Sequence, residues 1–215
     1  MSEYIKNYEA KRDLILNILH SGGIIAYPTD TIFGLGVDAL NPKAVEILYD
    51  LKQRPNKLPF SILFPRVENI LEITNLSEKC SRFLTDVFPG PVTAVLPLKN
   101  PHYFSSGFLS DEYAGFRIPE HPFCQWLSQN YGNPVITTSA NPSGTAPLLT
   151  LHEIEKVYRK KIDLYIDDPA DGFSRSNLPS TVFKITREGN MDILREGQIP
   201  GKKLLERFYE ISGDQ

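Results

Sequence analysis

Short apolar runs alternate along this chain with segments whose apolar residues recur at helical spacing, and that alternation leaves few architectures open. Residues 24–27, 60–64, 92–96, 115–118, 134–138, 164–166, 181–185 and 191–194 each have the length and character of a strand. Between them, Leu14, Ile15, Ile18 and Leu19 mark a helix over residues 8–21 that Gly22 and Gly23 stop. Asn41 and Pro42 start a second helix with Ala44, Val45, Ile47, Leu48 and Leu51 as its apolar stripe. Ser77 caps a third that ends near Phe88, before Pro89-Gly90-Pro91. Further helices are expected over 122–131, 151–161 and 201–211. Strands interleaved with helices predict an α/β (α+β) fold, and the neighbouring late strands predict a mixed sheet. Residues 100–111, rich in serine, glycine and aromatics, read as a connection.

The chain has 215 residues, 41% hydrophobic and 23% charged, which is ordinary for a globular protein with one sizeable core. A single domain over 1–215 is expected. No apolar run nears the roughly 20 residues that cross a bilayer, and residues 1–6 lack a signal peptide's apolar segment, so a cytoplasmic protein is expected. Cys80 and Cys124 form no framework or metal pair and read as buried thiols. His20, His102, His121 and His152 are scattered without a zinc spacing. A net charge of -3 argues against binding nucleic acid over the whole surface but leaves room for a local basic pocket.

The polar residues cluster where strands end. After the apolar run at 24–26 comes Tyr27-Pro28-Thr29-Asp30-Thr31-Ile32-Phe33-Gly34-Leu35-Gly36, hydroxylic and glycine-rich. Extended backbone over 29–31 would put both threonine hydroxyls on one face and Asp30 on the other, and the glycines would let a ligand approach. Lys52 and Arg54 stand two apart at a helix end before Pro55, either complementing the helix dipole or aimed together at a polyphosphate. Ser139 and Asn141, with Thr137 and Thr138 before them, make a polar rim at a strand end, or a simple Asn-Pro-Ser-Gly turn. Arg117, between Phe116 and Ile118 in a strand, needs an anion or a carboxylate partner. Ser180 and Arg195 also stand at strand boundaries, and Walker, dinucleotide-fingerprint and nucleophile-elbow motifs are missing. Lys156, Arg159, Lys160 and Lys161 form a basic segment, either a solvated helix face or a contact for RNA.

Seven motifs in order closely resemble the YrdC/YciO family of threonylcarbamoyl-AMP synthases. They are Pro-Thr-Asp-Thr-Ile-Phe-Gly-Leu-Gly at 28–36, Lys-Gln-Arg-Pro at 52–55, Pro-Gly-Pro-Val-Thr at 89–93, Phe-Arg-Ile-Pro-Glu-His-Pro at 116–122, Ser-Ala-Asn-Pro-Ser-Gly at 139–144, Pro-Ser-Thr-Val at 179–182 and Leu-Arg-Glu-Gly at 194–197. The resemblance implies a twisted mixed sheet with flanking helices around a large, positively charged concave cavity. It implies a nucleotidyltransferase that makes threonylcarbamoyl-AMP and pyrophosphate from ATP, L-threonine and bicarbonate or carbon dioxide. Other enzymes then pass the threonylcarbamoyl group to tRNA.

The family pattern places Lys52, Arg54, Ser139, Asn141 and Arg195 on ATP, with Lys52 and Arg54 as catalytic cations. Thr31, Arg117, Thr137 and Ser180 fall on threonine. Magnesium is expected on the pyrophosphate group, with no motif naming protein ligands. Where some members carry asparagine and histidine after the Lys-x-Arg element, this chain has Leu58 and Leu63. That leaning toward YciO-like members keeps a non-enzymatic protein binding tRNA or double-stranded RNA as the alternative, and a relative using another amine or carbamoyl donor as a third reading.

Overall fold

The computed structural model describes residues 3–53, 59–100, 103–104, 112–167 and 177–211. In chain order these hold β1 (Glu3–Ile5), α1 (Arg12–His20), β2 (Ile25–Tyr27), β3 (Gly34–Asp38), α2 (Pro42–Lys52), β4 (Ser61–Leu63), α3 (Val67–Ile73), α4 (Glu78–Val87), β5 (Val92–Pro97) and β6 (Tyr113–Arg117). Then follow α5 (Pro122–Asn130), β7 (Val135–Ser139), α6 (Leu151–Tyr158), β8 (Leu164–Ile166), β9 (Thr181–Ile185), β10 (Met191–Arg195) and α7 (Gly201–Glu210). The strands form one mixed sheet ordered β1-β8-β2-β3-β7-β4-β6-β5-β9-β10. Pairs β1/β8, β2/β8, β4/β6 and β5/β9 run parallel, and the other neighbours run antiparallel.

Local chemistry sets the helix starts. Asn41 accepts the Ala44 N–H on its side chain at 3.1 Å with Pro42 in the first turn, and Ser77 does the same for Cys80. Thr150 and Glu153 close a reciprocal capping box at the head of α6. That helix ends at Tyr158, and residues 159–161 tighten into a 3-10 turn, with Arg159 at φ 50°. The sequence reading missed three elements. β1 and α3 are short, and α3 has no side-chain cap. β3 was hidden because its glycines looked like a turn. Of the connection over 100–111, only residues 100, 103 and 104 fall within the described residues.

Side-chain alternation divides the sheet into two unlike faces. Ala26, Leu35, Ile62, Ala94, Phe116, Ile136 and Phe183 point to one face, where they pack with Leu48, Ile70, Phe83, Ile154, Leu204 and Phe208 from α2, α3, α4, α6 and α7. The intervening positions Ile25, Tyr27, Leu63, Val135 and Leu164 point to the other face, under Ile15 and Leu19 of α1 and Phe123, Trp126 and Leu127 of α5. Those two helices cover only the β1 side of that face. Farther across, the same alternation turns Gly34, Ser61, Thr93, Gly115, Arg117, Thr137 and Val182 toward a cavity instead of a second helical layer.

Candidate functional site

The cavity encloses about 300 Å³ over strands β3 to β10. Its bed follows the register: Gly36 pairs with Thr137, Thr137 with Ser61, Ser61 with Gly115 and Gly115 with Val95. Small and hydroxylic residues along this row keep the bed low. At its edge, residues 29–31 are not extended as expected. The Thr31 N–H donates to Thr29 Oγ1 at 3.1 Å, and Thr29 Oγ1 donates to the Ile32 carbonyl at 2.7 Å, so the segment is a threonine-capped turn. The two hydroxyls still converge, 3.0 Å apart. Thr29 borders the cavity, while Thr31 is fully buried behind it.

Gly34 and Gly36 have a different purpose from the one their spacing predicts. Both lie in β3 with ordinary strand backbone, and neither makes a turn. A Cβ on Gly36 would sit 2.8 Å from Tyr27 Cε1, and one on Gly34 would sit 3.2 Å from Tyr27 Cζ. The glycines therefore clear a lane for the Tyr27 ring, which crosses β3 and donates to Thr137 Oγ1 at 2.6 Å.

Arg117 lines the cavity and is nine-tenths buried. Its Nη2 meets Asp30 Oδ1 at 2.5 Å, its Nη1 donates to Thr31 Oγ1 at 3.4 Å, and its Nε has no acceptor among the described residues. Asp30 Oδ2 also accepts the Glu120 N–H at 3.1 Å. The carboxylate partner that a buried arginine requires thus comes from the turn beside it. Leu63, directly opposite Arg117 in the β4/β6 register, packs into the apolar cluster under α5. Where some relatives have a histidine, this chain has core. Leu58 lies outside the described residues.

Ser139 ends β7 at the cavity wall, and the chain then turns. Asn141 donates its side-chain amide to the carbonyls of Pro142 and Thr145 at 3.1 and 2.7 Å, which braces that turn. Lys52, buried at the end of α2, donates Nζ to the Ser139 carbonyl at 2.5 Å and to the Asn141 carbonyl. Its own carbonyl accepts the Ser143 N–H at 2.9 Å. Neither Lys52 nor Asn141 borders the cavity itself; both hold the turn that carries Ser139 to it. Lys52 is the last helical residue and Gln53 takes φ 48°, so the chain leaves the helix by a left-handed residue and not by extension. Arg54 lies outside the described residues.

On the opposite wall, Thr93 and Ser180 share a hydrogen bond of 2.8 Å, and Arg195 Nη2 donates to the Ser180 carbonyl and hydroxyl at 2.8 and 3.2 Å. The sequence reading gave no role to Ser61 or Thr93, and it placed the Thr29 hydroxyl beside that of Thr31 without assigning it to a ligand. Thr93 had a signal, as the last residue of the Pro-Gly-Pro-Val-Thr motif. Among the described residues the lining carries Arg117 and Arg195 and no carboxylate, which suits an anionic ligand. It does not fit a protein-held magnesium centre, and no group of three metal-ligating side chains occurs among the described residues. Also among these residues, no helix is long and apolar enough to cross a membrane.

A family model for Sua5, YciO and YrdC, described as "Telomere recombination", matches residues 17–197. Threonylcarbamoyl-AMP synthase of Vibrio campbellii is 32% identical over 198 residues, covering 90% of this chain and 100% of that protein. The crystal structure of P. abyssi Sua5 complexed with L-threonine superposes with a TM-score of 0.79 at 27% identity, over 100% of this chain and 61% of that one. The present chain thus spans about three fifths of that Sua5. E. coli YciO shares the fold, with a TM-score of 0.82 at 23% identity over 95% of this chain and 100% of its own. With the motifs in order, the cavity on the open face of the sheet and a family match over most of its length, the chain belongs to the Sua5/YciO/YrdC family.

Proposed function

We propose that this chain is a threonylcarbamoyl-AMP synthase, acting as a single domain over residues 1–215, whose product feeds the threonylcarbamoyl modification of tRNA by other enzymes. One observation carries the reading: a cavity walled by Arg117, Arg195, Ser139, Thr137 and Ser180, with no lining carboxylate among the described residues. The name borne by the Vibrio relative and the threonine bound to P. abyssi Sua5 support it.

In this reading, Arg117 takes the threonine carboxylate, with the Thr137 hydroxyl on the same lining, Ser180 facing the amino acid from the opposite wall and Thr31 bracing the guanidinium from behind. The threonine amine and bicarbonate lose water to give a carbamate. A carbamate oxygen attacks the α-phosphorus of ATP, and pyrophosphate leaves with the electron pair of the broken P–O bond. Both partners are anions, so fixed positive charge and aimed donors lower the barrier more than a strong base would. Ser139, Asn141, Lys52, Arg54 and Arg195 serve the nucleotide side. Magnesium would come with the triphosphate and neutralise part of its charge, since the lining offers no carboxylate to hold it among the described residues.

The alternative of an RNA-binding protein without activity draws on Leu58 and Leu63 and on the basic segment, and Lys156, Arg159, Lys160 and Lys161 are exposed as a solvated face would be. The decisive measurement is pyrophosphate release from ATP in the presence of bicarbonate. Release is expected to rise at least tenfold on adding L-threonine, and a rate indifferent to threonine would sink the reading.

A further inference from the structure

We propose that Tyr27 is a positioning residue: by donating its phenolic proton to Thr137, it turns the Thr137 hydroxyl into a dedicated donor toward the substrate in the cavity. The assignment rests on the reading that threonine lies against Thr137.

Its geometry is set by three adjacent strands. Tyr27 on β2 sits opposite Gly34 on β3, and Gly36 on β3 sits opposite Thr137 on β7. The ring therefore lies diagonally across β3, in the lane that the two glycines leave open, and brings its oxygen to 2.6 Å from Thr137 Oγ1. Phe123 packs against the ring at 5.4 Å between centroids. A phenol is the stronger acid and an aliphatic hydroxyl oxygen the better acceptor, so the proton points from Tyr27 to Thr137. Thr137 must then aim its own proton elsewhere, and its hydroxyl makes no second hydrogen bond among the described residues. It borders the cavity, 5% exposed, with Arg117 on the same lining. Burial drives the Tyr27 phenol far above its ordinary range, which keeps it protonated at every workable pH.

Phenylalanine would fill the same lane, so the phenolic oxygen serves the contact with Thr137 alone. Tyr27→Phe is expected to raise KM for L-threonine about fivefold, the worth of one neutral hydrogen bond, while kcat stays within about twofold and KM for ATP holds. A packing defect would instead lower the melting temperature without singling out threonine. In a Thr137→Val background, adding Tyr27→Phe should change the threonine KM by less than about twofold, because the group it acts through is gone. It should also recover stability, since it removes a phenol left without an acceptor. An unchanged threonine KM in Tyr27→Phe, alongside an active wild type, overturns the assignment and leaves the reading of the site standing. The same KM increase in both backgrounds overturns it equally. A wild-type chain that neither binds threonine by calorimetry nor releases pyrophosphate with it overturns the reading, and the assignment with it.

Discussion

Gly197→Ala is expected to lower the melting temperature by roughly 6–12 °C and turnover by about 10²-fold, although residue 197 is outside the cavity lining. A Cβ there would stand 2.4 Å from the Pro179 carbonyl oxygen, the Ser180 carbonyl carbon and the Thr181 nitrogen. All three are backbone atoms, so no side chain can swing aside. The peptide that would have to move carries Ser180, which faces Thr93 across 2.8 Å and receives Arg195 on its carbonyl. The Gln198 N–H, bonded to the Pro179 carbonyl at 2.8 Å, ties the two segments together. Overpacking of this kind costs about 3 kcal/mol, and a domain of this size loses about 2–4 °C per kcal/mol. Displacing an aimed hydroxyl by about an ångström is enough for the loss of rate. Gly144→Ala is the control: its φ of 77° strains an alanine, but the space around it is open, so only about 1 kcal/mol is expected to go. A Gly197→Ala protein that melts and turns over like wild type would show that the 179–181 backbone yields, and that Ser180 is not held as described.

The fold was legible wherever periodicity and caps agreed. Asn41-Pro42 and Ser77 mark their helices in sequence and do the same in space, through bonds to Ala44 and Cys80. β3 was not legible, because Gly34 and Gly36 carry a turn's composition inside a strand. Their reason is the Tyr27 ring one strand away, a tertiary contact that no local window contains. α3 is a seven-residue helix with no capping side chain, held by Val67, Ile70 and Ile73 in the core, so packing and not propensity makes it.

The site was legible as a set of strand ends and less so as a set of contacts. Arg117, flanked by Phe116 and Ile118 at the end of a strand, announced that it needed an anion, and the residue chemistry could not say whether that anion was substrate or protein; Asp30 at 2.5 Å supplies one from the chain itself. Thr93 and Ser61 sit in strands whose alternation names no cover for either face. They become cavity residues only because α1 and α5 cover part of one face and stop. Which face a strand residue meets is written in the period of two, but what covers that face is decided by segments far away in the chain.

Lys52→Ala is expected to cost both stability and rate, and the combination distinguishes the role its surroundings point to from that of a simple phosphate ligand. Lys52 is 3% exposed and donates its ammonium to the carbonyls of Ser139 and Asn141, while its own carbonyl accepts from Ser143. Removing the side chain orphans the buried Asn141 carbonyl and leaves the Ser139 carbonyl with the Asn141 N–H alone, in the turn that carries Ser139 to the cavity, at about 1–3 kcal/mol for the unsatisfied group and more for the lost packing of the stem. A drop of roughly 6–12 °C in melting temperature follows from about 3 kcal/mol in total. Turnover should fall by about 10²-fold or more, because the turn that aims Ser139 into the cavity is displaced. Lys52→Met separates packing from charge, since it keeps the apolar stem and deletes only the ammonium. It should recover part of the stability and little of the rate. If both variants melt with the wild type yet lose turnover, Lys52 touches the nucleotide and does not hold the turn. If turnover survives in both, the 139–143 turn does not depend on the lysine, and the cation belongs to the helix end alone.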